Sequence, residues 1–130
     1  MTHMIIVGLV FAAVAAVIHC YIFYMESIAW TSARVRATFG TTLDEAETTK
    51  PLALNQGFYN LFLAISIAVG IVVAAAGDRA VGATLVFAGA GSVVAAGLVL
   101  LLSDRSKARP ALIQLVPPLI GVVALAVGVA

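Results

Sequence analysis

The sequence predicts an all-α, polytopic membrane protein with four transmembrane helices in an antiparallel bundle. Three observations carry that reading. Of 130 residues, 63% are hydrophobic and only 10% charged, whereas roughly a quarter of a soluble domain is charged. Four apolar segments, at about 4–25, 54–76, 81–102 and 111–129, each approach or exceed the roughly 20 residues that cross a hydrocarbon core about 30 Å thick. The breaks between them are polar and distinct: 26–53, GDRA at 77–80, and SDRSKARP at 103–110.

The first segment is apolar and contains Ala-x-Ala patterns, as a signal peptide does. It has no Lys or Arg before Arg34, and its run is long enough to span, so we read it as a retained first helix. Beyond it, residues 26–39 have helical composition and are expected to continue the helix until Gly40 stops it. Thr42 and Glu45 form the pattern of a capping box for a short helix over 42–49, and Pro51 suits the first turn of the second membrane helix. The second connection is four residues long, which makes the second and third helices antiparallel neighbours. The third helix carries Gly82, Gly89, Gly91 and Gly97 among alanines, small residues that let backbones approach in lipid. Two uses compete for them: contacts inside the bundle, or a dimer or trimer interface that would add the line Ala88, Ser92, Ala96. The fourth helix contains Pro117 and Pro118, which remove two backbone donors and are expected to kink it or delay its start. No repeat or low-complexity tract interrupts the chain, which reads as one domain, 1–130.

Orientation follows from basic residues, which accumulate in cytoplasmic connections. Arg34, Arg36, Lys50, Arg105, Lys107 and Arg109 lie in the first and third connections, and Arg79 alone in the second. Both termini are therefore expected outside, in a multi-pass protein of the plasma membrane, with the long first connection in the cytoplasm.

Composition also excludes chemistries. The single cysteine, Cys20, allows no intrachain disulfide and no Cys-rich metal centre. There is no phosphate-binding Gly loop, GxSxG elbow, HExxH or CxxC. His3 and His19 sit near opposite ends of the first helix, which argues against a two-histidine metal site. Net charge is +1, without a basic patch interleaved with aromatics, so no nucleic-acid partner is expected. No cofactor and no catalytic residue is assigned; the lipid bilayer is the expected environment.

Polar residues cluster in two places. On a 3.6-residue helix, Gly8, Ala12, Ala15, His19, Phe23, Glu26 and Trp30 share one stripe, and Asn55, Gln56, Tyr59, Asn60 and Ser66 share an arc of roughly 140° on the second helix. With both helices meeting the cytoplasmic boundary near residues 25 and 53, His19 and Asn60 lie about 9 and 10 Å deep. The depths therefore match His19 with Asn60, and Glu26 with Asn55 or Gln56. A carboxylate or histidine inside a bilayer costs roughly 2.5–3.5 kcal/mol on insertion scales and so faces a cavity or a partner. The candidate ligand-binding set is His19, Glu26, Trp30, Asn55, Gln56, Tyr59 and Asn60. Each has a plainer reading. His19 can be a neutral histidine bonded to Asn60, Glu26 a solvated interfacial group, Trp30 a boundary aromatic, and the amides helix–helix glue. Tyr21 and Tyr24 point away from the stripe, as interface-belt aromatics do, and Cys20 reads as a packing residue.

The pattern H-x4-Y-M-E-S-x2-W at 19–30, with L-N-Q-G-F-Y-N-L-F-L-A at 54–64, resembles the domain-of-unknown-function 1304 family over essentially the whole chain. That resemblance implies a small four-helix bacterial membrane protein and brings no activity, substrate or site residue with it. A looser likeness is to the trimeric membrane-associated proteins of eicosanoid and glutathione metabolism, which share a long first connection and a polar start to the second helix. Their R-x3-N-x2-E pattern is not reproduced: Asn60 is followed by Leu61, Phe62 and Leu63. The small multidrug transporters also have four helices and a first-helix carboxylate, but shorter loops and a mid-membrane Glu. Three functional classes follow: a membrane protein binding or transporting a small amphiphilic molecule in a cytoplasm-facing polar pocket, a trimeric glutathione-dependent enzyme, and a structural membrane protein without ligand.

Overall fold

The computed structural model describes residues 2–130, and most of the described residues are helical. The elements are α1 (His3–Phe23), a π-helical turn (Tyr24–Ile28), α2 (Ala33–Phe39), α3 (Leu43–Ala75), α4 (Arg79–Ser103), a 3-10 turn (Arg105–Lys107) and α5 (Ala108–Val129). Four stretches are long and apolar enough to cross a membrane: His3–Ile28, Leu43–Ala75, Arg79–Ser103 and Arg105–Val129.

Local chemistry sets the boundaries. Ser32 accepts the Val35 N–H to begin α2, and Gly40, at φ 69°, ends it in the left-handed conformation that glycine adopts without strain. The Thr42–Glu45 box is reciprocal: Thr42 N–H donates to Glu45 Oε2 at 2.8 Å, and Glu45 N–H to Thr42 Oγ1 at 3.2 Å. Asp78 accepts from Val81 N–H at 3.0 Å to start α4, directly after Gly77 at φ 117°.

Two expectations about the first connection are corrected. The short helix over 42–49 and the second membrane helix are one element, with Pro51 inside it. The box fixes its start, buried Ala46 and Ala53 carry it through, and Pro51 withholds only one backbone donor, from the carbonyl of the exposed Glu47. At 33 residues, α3 is about 50 Å long and overruns a ~30 Å core. Nor does the first helix continue to Gly40. It widens into the π turn, breaks over residues 29–32, and restarts at the Ser32 cap. The fourth helix, by contrast, begins at Ala108 and runs through both prolines.

The chain divides into two compact units: the residues up to Ile18 together with Leu63–Ala130, and His19–Phe62. In the larger unit, small residues seat helix on helix. A Cβ added to Gly82 would overlap the Ala74 backbone, and one on Gly89 would lie 2.7 Å from Ile67. Numbers rising along α4 meet numbers falling along α3, so the pair is antiparallel. The same holds for α1 and α5, where Gly128 meets Ile5, Gly8 meets Leu125, and Gly121 meets Ala12. Gly97 brings α4 against Leu115 of α5. Ile67, Val86 and Leu125 fill the remaining volume, at no more than 1% exposure. Gly82 and Gly89 thus serve contacts within the chain. Thr84, Ala88, Ser92 and Ala96 form a separate, exposed line on α4.

Candidate functional site

The polar residues gather within His19–Phe62, and the π turn places them. Its widened ring closes with Ala29 N–H donating to Tyr24 O at 3.0 Å; such turns are uncommon and recur at functional sites. Beside it, α3 carries Gly57. A Cβ there would occupy the position of Ser27 Oγ and stand 3.0 Å from Ser27 N. Only glycine lets the turn sit this close, and the approach brings Ser27 Oγ within 2.8 Å of the Leu54 carbonyl, to which it donates. Phe23 packs edge-on against Phe58, with centroids 5.1 Å apart.

At this register Glu26 meets Asn60. Asn60 Nδ2 donates to Glu26 Oε2 at 2.8 Å and to the Gln56 carbonyl at 3.1 Å. Sequence depth paired Glu26 with Asn55 or Gln56, one helical turn away. The backbone level was right, since Ser27 lies beside Leu54 and Gly57, but helical side chains lean toward their own N-terminus. Because the two segments are antiparallel, Glu26 leans toward higher numbers on α3 and Asn60 leans back to meet it.

A groove of about 310 Å³ adjoins the pair, lined by Glu26, Ser27, Ile28, Trp30, Thr31, Lys50, Pro51 and Leu54. It therefore offers one carboxylate, one ammonium, two hydroxyls and an apolar floor. Trp30 is held on two sides. Its Nε1–H donates to Thr49 Oγ1 at 3.1 Å, and its ring lies 5.0 Å from that of Phe39.

Of the seven candidates, Glu26 and Trp30 line the groove and Asn60 orients Glu26. Gln56 contributes its carbonyl, with its side chain exposed. Asn55 is exposed and Tyr59 is 64% exposed. His19 is buried, at 2% exposure, and is not among the groove's lining residues. Tyr21 and Tyr24 are exposed and stack on each other at 6.2 Å. Among the described residues, no group of three or more His, Cys, Asp or Glu could hold a metal ion. Sequence reasoning missed Ser27, Gly57 and Lys50. Gly57 had a signal: a glycine inside a helix is unfavourable by about 1 kcal/mol against alanine, so its presence between polar neighbours marks a close approach. Lys50 was counted only for its charge.

A family described as "Protein of unknown function (DUF1304)" matches residues 13–126. The chain belongs to this family. No curated protein and no solved structure matches it. The matched span contains the π turn, Gly57 and the Glu26–Asn60 pair.

Proposed function

We propose that this member of the family is a plasma-membrane protein that binds a small amphiphilic molecule carrying an amine or hydroxyl head, with Glu26 as the recognising carboxylate. The observation that supports this is the Glu26–Asn60 bond at the edge of the groove. One amide N–H satisfies one carboxylate oxygen, the groove lies beside the other groups, and the apolar lining with few convergent polar atoms has the character of a ligand pocket. Trp30, fixed by Thr49 and Phe39, gives an amine a rigid aromatic neighbour. The orientation belongs to the same reading, with the groove opening to the cytoplasm and both termini outside. So does self-association as a dimer or trimer through the exposed line Thr84, Ala88, Ser92 and Ala96.

The test is Glu26→Gln. A glutamine oxygen still accepts from Asn60, so the helix contact persists while the charge is lost. In thermal unfolding of the purified protein, single-chain alkyl amines and alkyl polyols are expected to stabilise the native protein. The amine effect should vanish in Glu26→Gln, whose unliganded transition stays in place. Equal stabilisation of both proteins, or of neither, would leave the polar cluster as interhelical glue. Stabilisation by glutathione with conjugating activity would replace the binder with an enzyme. A periplasm-dependent reporter at the C-terminus checks orientation; it is expected to be active, and a silent fusion would reverse the topology.

A further inference from the structure

A second groove lies in the larger unit, independent of the first. It is lined by Ile18 of α1 and by Arg109, Leu112, Ile113, Val116 and Pro117 of α5, a shallow, open groove of about 700 Å³. The α5 residues follow the spacing i, i+3, i+4, i+7, i+8, a single helical stripe. Arg109 stands at one end, and the other four are apolar. From Arg109 to Pro117 the stripe runs about 12 Å, most of the ~15 Å depth of one leaflet. Leu112, Ile113 and Val116 are 45%, 53% and 44% exposed, so the floor is open to an occupant.

Charge completes the picture. No acidic residue lines the groove. The connection that precedes it, residues 103–110, carries Arg105, Lys107 and Arg109 against one acid, Asp104, and that acid is engaged by the N–H and hydroxyl of Ser106. The strip ends in an exposed guanidinium, a group that prefers phosphate and binds it through paired N–H donors.

We propose that this groove is a site for an anionic phospholipid, its phosphate on Arg109 and one acyl chain along Leu112, Ile113, Val116 and Pro117 against Ile18. Basic pockets between membrane helices recognise anionic headgroups in this way.

The full chain, purified in nonionic detergent and offered equimolar phosphatidylglycerol and phosphatidylcholine, is read by native mass spectrometry for retained lipid. Wild type is expected to retain phosphatidylglycerol about five-fold over phosphatidylcholine, the preference that one basic residue near the surface confers. Arg109→Gln removes the preference. Arg105→Gln, outside the groove, keeps most of it. Val116→Trp, which fills the floor, lowers retention of both lipids, and soluble glycerol phosphate at the same concentration does not compete. Equal retention of the two lipids by wild type would overturn the proposal. So would an undiminished preference in Arg109→Gln, or displacement by glycerol phosphate. Should Arg109→Gln lose its unfolding transition, the pair Arg109→Lys and Val116→Trp decides. Lysine must keep the preference and tryptophan must lose retention; failure of either rejects the site.

Discussion

The two units solve the same problem, holding helices together where no water drives them, in different ways. The larger unit removes side chains. Gly8, Gly82, Gly89, Gly121 and Gly128 bring backbones into contact, and dispersion between close-packed surfaces does the holding. The smaller unit, His19–Phe62, adds polar side chains and rings: Ser27 to Leu54, Asn60 to Glu26, Trp30 to Thr49, Phe23 to Phe58. Glycine contacts place backbone against backbone and offer no side-chain polar atoms. Polar contacts leave spare acceptors and a groove. The region that holds its helices by hydrogen bonds is the one that contains the Glu26 groove.

Breaking the glycine strategy should have the largest effect. Gly82→Leu places a side chain into the Ala74 backbone, which cannot rotate away. We expect a loss of about 3 kcal/mol or more, at the upper end for overpacking, seen as loss of the unfolding transition in detergent. Gly91→Leu is the control, since nothing lies within 4 Å of its Cβ position. It should leave the transition unmoved.

Gly57→Ala asks whether the smaller unit also depends on one close approach. The new methyl collides with Ser27 Oγ and crowds Ser27 N, at a cost of about 1–3 kcal/mol. Adding Ser27→Gly should recover part of that, because the Oγ is gone while the backbone nitrogen remains. Full additivity of the two changes would show that the contact does not set the register.

The fold was legible because four long apolar runs and the polar breaks between them can be read directly along the chain. The candidate groove was legible only in part. Glu26 and Trp30, on one stripe at the end of the first segment, and Asn60, inside the second, were among the seven candidates, and the first two line the groove. Their pairing was not legible, for two physical reasons. A uniform 3.6-residue period cannot anticipate a π turn at Tyr24–Ile28, and depth counted along backbones omits the lean of the side chains. The continuity of α3 through Pro51 was hidden for a related reason: proline propensity is local, whereas the cap at Thr42 and the buried face at Ala46 and Ala53 outweigh it.

The polar strategy is tested by Asn60→Ala, which leaves a half-buried carboxylate without its amide donor. A loss of about 1 kcal/mol is expected, the scale of interhelical hydrogen bonds in membranes. A double-mutant cycle with Glu26→Ala should return coupling of similar size. Zero coupling would mean that the pair positions nothing.

The smallest effect tests the point where the larger unit borrows the polar strategy, at Asp104 between α4 and α5. The hydroxyl of Ser106 bonds its Oδ1, the Ser106 N–H adds a second bond, and Lys107 lies nearby. These hold the Asp104 carboxyl below its ordinary value, the hydroxyl bond most strongly, with desolvation opposing them. Because the folded pKa is the lower one, the contribution is fully present above the unfolded value, near 3.9, and is lost as pH falls through the folded value. Unfolding midpoints measured from pH 6 down to pH 3 should therefore fall less steeply in Asp104→Asn than in wild type, with the two curves separated most above pH 4. The group is fully exposed, so the separation should be slight and should shrink further in high salt where Lys107 contributes. Ser106→Ala should move the same limb of the curve in the same direction. If Ser106→Ala leaves it untouched, the hydroxyl is not what holds the proton off.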